Sequence, residues 1–245
     1  MHPVLLIIGH GSRDPRHAAT VTRLVERVRE LDSELCVEQG FLDFDTPGVD
    51  IKLKELDARG IRDVIAVPLL LSRAFHAKKD IPALLREAPP SLRIRQAPVL
   101  GPDPLLQQAL ERRITEADVP DRSVAGLVVA AAGSSDPEAA AGIRTMAGGC
   151  AAAGWRAVRP AFATAASATS GIPNPRDAVR ALRASGAEHV VVARYVISPG
   201  RLSDQIARGA TDADVVTAEL GDAPELARLL VTRYRQTVRT VGPRR

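Results

Sequence analysis

One phrase occurs twice in this chain, and that repetition limits the fold more than any other feature. LLIIGHGSRDP begins at Leu5 and LVVAAAGSSDP at Leu127; GIRDVIAVPLLLS begins at Gly60 and GAEHVVVARYVIS at Gly186; LGPDPLLQQALERR begins at Leu100 and LGDAPELARLLVTR at Leu220. Three blocks in one order with nearly constant spacing mark an internal duplication, each copy being a domain of about 120 residues. The break between copies falls in EADVPDRS, where proline and charge interrupt the periodic pattern, giving domains 1–119 and 123–240.

Each copy alternates short apolar runs with amphipathic segments. Val4–Ile8, Val64–Leu71, Leu127–Ala131 and Val190–Ile197 read as strands covered on both faces, as in a parallel sheet. Val21, Leu24, Val25, Val28 and Leu31 recur at the spacing of one helical face. Asp14 before Pro15, and Asp136 before Pro137, are helix starts: an N-cap carboxylate followed by proline at the first helical position. The expected architecture is α/β, two similar doubly wound parallel-sheet domains. The tail after Val238 reads as frayed.

In such sheets ligands bind beyond the carboxyl ends of the strands. His10 follows the first strand between Gly9 and Gly11, and His76 lies shortly after the Val64–Leu71 run, ahead of a helix bearing Ile81, Leu84 and Leu85. In the second copy Ala132 stands at the His10 position, and Arg201 or Leu202 at the His76 position. Both imidazoles are gone while the frame persists, so they serve something the frame does not need.

Competing motifs fail on the same residues. A dinucleotide fingerprint needs a glycine where Asp14 stands, a nucleophile elbow needs G-x-S-x-G whereas Ser12 lies in G-S-R-D, and no lysine follows a P-loop glycine pattern. ATP-driven and generic hydrolase chemistry are thereby disfavoured. Cys36 and Cys150 form no metal-ligand spacing and read as ordinary buried thiols. Aromatics make up 3% of the chain and its formal charge is only +4, so no nucleic-acid partner is expected. No apolar run reaches membrane-spanning length and no cleavable leader is evident, which points to a cytoplasmic protein without membrane contact.

GHGSRDP, VIAVPLLLS and HAKKDIP together resemble the sirohydrochlorin chelatases, the class II cobaltochelatases and ferrochelatases, in their long fused form. The resemblance covers essentially the whole chain. It implies a chelatase-like fold with a cleft between the two domains, and insertion of Fe²⁺, Co²⁺ or Ni²⁺ into the small-molecule tetrapyrrole sirohydrochlorin, for siroheme or cobalamin synthesis, with no nucleotide and no permanently bound cofactor. His10 and His76 then take the metal and the pyrrole protons, since neutral imidazole ligates late divalents and titrates near neutrality. Asp43 in FLDFDTP stands where relatives carry glutamate, as a third metal contact. Ser12, Arg13, Arg73, Lys78 and Lys79 flank the histidine loops and are candidates for the substrate's carboxylates. Fusion implies a monomer. A carrier that binds metal or tetrapyrrole without catalysing insertion is the competing reading. His2, His17 and His189 are read as bystanders, and Asp45 as a weaker candidate than Asp43.

Overall fold

The computed structural model describes residues 2–73, 76–119, 121–164 and 167–240, without the side chains of residues 76, 77, 167 and 168. In the first sheet the strands are β1 (Val4–Gly9), β2 (Val37–Phe41), β3 (Asp63–Pro68) and β4 (Arg93–Gln96), all parallel in the order β2-β1-β3-β4. Leu5 is in register with Val37 on one side and Ile65 on the other. All six residues of β1 are buried, as a central strand covered on both faces requires.

Helix α1 (Pro15–Leu31) starts as its sequence dictates: the Asp14 carboxylate accepts from Arg16 N at 3.0 Å, with proline next in the chain. The guanidinium of Arg16 beside it holds the Asp14 carboxyl down at about 2. Val21, Leu24, Val25 and Val28 are buried, each contributing about 1.5–3 kcal/mol. Leu31, expected on the same face, is instead exposed at the last position of the helix. Helix α2 (Val49–Ala58) follows β2, and a π-helical turn, His76–Asp80, leads into α3 (Ile81–Arg86) after β3.

The second sheet repeats the first. Strands β5 (Ala125–Ala131), β6 (Ala157–Phe162), β7 (His189–Arg194) and β8 (Val215–Val216) are parallel in the order β6-β5-β7-β8. Helices α5 (Pro137–Ala151), α6 (Ser167–Ser170), α7 (Pro175–Ala184) and α8 (Arg201–Gly209) connect them. Asp136 caps α5 by accepting from Glu138 N at 2.9 Å. The apolar runs expected as strands to Leu71 and Ile197 leave the sheet at Pro68 and Arg194. Each strand makes one last bond to its central neighbour, Leu69 N to Ile8 O at 2.8 Å and Tyr195 N to Ala130 O at 2.7 Å, and the chain then leaves the sheet.

The compact units are not the sequence repeats. One unit ends at Gly101 and resumes at Asp222; the other is the continuous stretch Pro102–Gly221. The sequence pattern puts the break between the two copies at 119–123, yet helix α4 (Pro104–Glu116), the last of the first copy, belongs with the second sheet. Helix α9 (Pro224–Arg239), the last of the second copy, belongs with the first. Helix α9 packs on α1 and β3, burying Leu226, Leu229 and Leu230. Polar bonds fix it there: Tyr234 Oη donates to Pro3 O at 2.8 Å, and Arg233 Nη2 to Leu100 O at 2.8 Å. Tyr234→Phe removes one such bond and leaves the Pro3 carbonyl to find another donor, so a loss of about 1 kcal/mol in denaturant unfolding is expected; an unchanged midpoint would show that the bond adds no net stability.

Of the two cysteines, Cys150 is buried as expected, and burial raises its thiol to about 11. Cys36 is exposed, because it lies in the turn before β2 and not on an inward strand position. Among the described residues no helix is long and apolar enough to cross a membrane.

Candidate functional site

The connection from α1 runs to β2 on one side of β1, and the connection from α2 runs to β3 on the other. The chain therefore changes direction between β1 and β3, and the loops leaving these two strands flank the crevice where open α/β sheets bind ligands. His10 begins the first of these loops and is half-buried. His76 is the first residue of the π-helical turn on the second, its side chain lying outside the described structure.

The His10 loop is clamped by the loop after β2. Leu42 N donates to Gly9 O and Asp43 N to His10 O, both at 3.0 Å. Gly11 has φ +92°, and a Cβ there would stand 1.6 Å from Asp43 O, so only glycine permits the approach. Ser12 Oγ accepts from Asp14 N at 3.0 Å and ties the loop to the start of α1. At the other end of the clamp Phe41 N donates to Pro47 O at 3.0 Å, closing the 42–47 segment on itself.

His10 Nδ1 lies 3.1 Å from Gly11 O. A carbonyl only accepts, so this nitrogen carries a hydrogen, and in the neutral form of the ring the lone pair is on Nε2. Asp43 is exposed, and its Oδ1 accepts from Phe44 N at 2.9 Å. Arg13 is exposed with its guanidinium 5.2 Å from the centroid of the Phe44 ring. Arg73, Lys78 and Lys79 are exposed on the segment after β3. Thus the structure brings His10, Ser12, Arg13 and Asp43 together through one clamp and sets the segment bearing Arg73 and His76–Lys79 after the neighbouring strand. Among the described residues no three His, Cys, Asp or Glu side chains are grouped to hold a metal ion.

His17, read as a bystander, and Asp45, read as a weaker candidate than Asp43, are both parts of the clamp. Asp45 Oδ2 accepts from Ser12 N at 3.0 Å and lies 3.1 Å from His17 Nδ1. Both side chains are largely buried. One carboxylate oxygen thereby joins the His10 loop, the loop after β2 and the first turn of α1. The sequence signal was the phase of α1: a residue three after the cap looks back toward the loop that precedes the helix.

Burial draws the His17 imidazole below its ordinary 6.5, with the Asp45 carboxylate acting in the opposite direction. A histidine so lowered binds its proton first in the unfolded chain. Its contribution to stability is therefore complete above the unfolded value and declines as pH falls through it toward the folded value. Between about pH 7 and pH 5 stability is expected to fall, and His17→Gln to make that slope shallower; denaturation midpoints across this range would show it, and parallel slopes would assign the decline to other groups.

The second copy keeps the clamp without the imidazole. Ala163 N donates to Ala131 O and Thr164 N to Ala132 O, both at 3.0 Å, and Phe162 N donates to Pro173 O at 2.9 Å. Asp136 N donates to Ser134 Oγ at 3.1 Å, as Asp14 does to Ser12. At the end of β7, where the first copy has Pro68, Arg194 pairs with Glu219 at 2.8 Å, and Ser203 Oγ also donates to that carboxylate. Arg201 and Leu202, the two residues that can match His76, open α8. A largely buried ion pair thus stands at the end of β7.

Comparison with known proteins agrees with this duplicated frame. The CbiX family model matches twice, over residues 4–117 and 126–237. A sirohydrochlorin cobaltochelatase of Methanocaldococcus jannaschii is 35% identical over 81 residues, covering 33% of this chain and 57% of that protein. A sirohydrochlorin ferrochelatase of Bacillus subtilis is 32% identical over 141 residues, covering 56% and 54%. The chain thus spans little more than half the length of these curated relatives. Among solved structures, Bacillus subtilis SirB with Fe3+ superposes with a TM-score of 0.82 at 25% identity, covering 97% of this chain and 96% of that one. The same fold recurs at a TM-score of 0.78 in a cobalt complex of the sirohydrochlorin chelatase SirB from Bacillus subtilis subspecies spizizenii, at 22% identity. The chain belongs to the CbiX family and carries the family's domain twice.

Proposed function

We propose that this protein inserts a divalent metal ion, Fe²⁺ or Co²⁺ and in some conditions Ni²⁺, into sirohydrochlorin without nucleotide, acting as a cytoplasmic monomer. The observation that carries this reading is the placement of His10 at the sheet's change of direction, in a clamp that the second copy reproduces around Ala132. A loop that folds equally well around alanine keeps its imidazole for chemistry.

Metallation exchanges two pyrrole protons for one ion, and the ion's water is shed as ring nitrogens replace it. His10, with its lone pair on Nε2, holds the incoming ion or takes a pyrrole proton; His76 and Asp43 complete the set of donors. Two imidazoles and one exposed carboxylate bind the ion loosely enough to surrender it to four ring nitrogens. Arg13, Arg73, Lys78 and Lys79 meet the carboxylate arms, with Ser12 orienting the His10 loop. The metal and the tetrapyrrole are both substrates, and no resident cofactor is required.

Incubation of the protein with sirohydrochlorin and Co²⁺, followed by the change in absorption, is the test. A rate no greater than that without protein would leave a non-catalytic carrier as the remaining reading.

A further inference from the structure

The chain has four phenylalanines, two tyrosines and one tryptophan. Five of these seven are buried: Phe41 at 1% exposure, Phe162 at 2%, Trp155 at 7%, Tyr195 at 5% and Tyr234 at 3%. Phe75 lies outside the described residues. Phe44 alone among the described aromatics is exposed, at 53%. The other large exposed apolar side chains, Leu31 and Ile51, sit on helices; Phe44 sits on the loop that clamps His10.

Its backbone is also unusual. Phe44 has φ +62°, a region that bulky residues seldom enter. Asp45 N donates to Asp43 O at 2.7 Å across it, so Phe44 is the apex of a three-residue turn of the rare positive-φ form. The turn is held from both sides. Asp43 Oδ1 accepts from Phe44 N, while Asp45 Oδ2 is anchored by Ser12 N and faces His17. Sparsely populated backbone persists only where its surroundings over-determine it, and such residues gather at ligand sites.

A strained apex here presents the one exposed aromatic ring among the described residues to solvent, outside the buried core. Arg13, on the His10 loop itself, lies over the ring at a distance suited to a cation–π contact. An aromatic surface and a guanidinium are thus fixed side by side, one residue from the Asp43–His10 backbone bond. This pairing matches a flat conjugated ring system with carboxylate arms.

We propose that Phe44 is the surface on which the tetrapyrrole macrocycle stacks, with Arg13 binding one of its carboxylates, so that the macrocycle is positioned against His10. The proposal rests on the chelatase reading above and adds the residue that recognises the ring's face. Metal binding alone does not need it, and Phe44 contributes no donor to the ion.

The experiment is a titration of metal-free sirohydrochlorin, in the absence of any metal, into the wild type, Phe44→Leu and Phe44→Trp, with melting temperature recorded for each. Phe44→Leu is expected to weaken binding about tenfold, the scale of one aromatic contact, and Phe44→Trp to restore it. Leucine keeps the bulk and apolar character, so wild-type affinity in Phe44→Leu would overturn the stacking role while leaving the chelatase reading intact. Equal weakening in both variants would also overturn it, by showing that any change of the turn disturbs the site. Failure of the wild type to bind the tetrapyrrole would instead remove the reading on which the proposal rests.

Discussion

His10→Ala is expected to lower the rate of metal insertion by about a hundredfold or more, the usual contribution of one positioned acid–base group, while the melting temperature stays near that of the wild type. The second copy supplies the reason for the second half of this expectation. There the same loop is closed by the same backbone bonds, Ala163 to Ala131 and Thr164 to Ala132, around an alanine. His10 Nδ1 meets its neighbour's carbonyl, whereas the clamp itself is built from main chain. Initial rates and thermal unfolding measured on the same preparation decide the matter. A large fall in stability would mean that the imidazole props the loop, and a full rate in the variant would remove His10 from the chemistry.

Gly11→Ala is expected to damage both properties. A methyl group would collide with Asp43 O, and alanine must also adopt φ +92°. Main chain cannot swing aside as a side chain tip can, so the two loops must part. Strained backbone plus enforced displacement puts the stability loss at about 3 kcal/mol. A shift of the His10 loop by about an ångström would itself cost roughly a hundredfold in rate. Gly133→Ala is the matched comparison. There the methyl would meet Thr164 Oγ1 at 2.4 Å, with φ +107°. A hydroxyl can rotate away, and the loop carries no imidazole, so stability should fall with little effect on rate. Equal rates in the two alanine variants would show that the clamp does not position His10.

Much of the frame was legible because it depends on local rules. Repetition of LLIIGHGSRDP as LVVAAAGSSDP exposed the duplication, and Asp14–Pro15 and Asp136–Pro137 marked helix starts that formed as read. The positions of His10 and of the segment bearing His76 followed from where their strands end. What escaped was set by contacts between distant residues. Asp45 is tied to Ser12 across the clamp, and no pattern within FLDFDTP distinguishes it from Asp43. Phe44 counted only toward a low aromatic content until its neighbours proved to hold it exposed. Hydrophobicity also overran the sheet at Leu69, which is buried without being part of β3. Cys36 and Leu31 were placed inside by residue type and by periodicity, but Leu31 ends α1 and Cys36 lies in the turn just before β2, where chain direction decides exposure.

The exchange of terminal helices bears on how the chain comes into being. Residues 102–221 are continuous, so that unit can close while the ribosome is still adding the remainder. The unit containing His10 is begun first but lacks its α9 cover until residues 224–239 have been added, and its α1 and β3 surfaces must wait through the making of the whole intervening unit. Birth order and completion order are therefore reversed: the unit that carries His10 closes after the one made in between, and a nascent chain stalled short of residue 224 would hold a closed intervening unit and an unfinished one around His10.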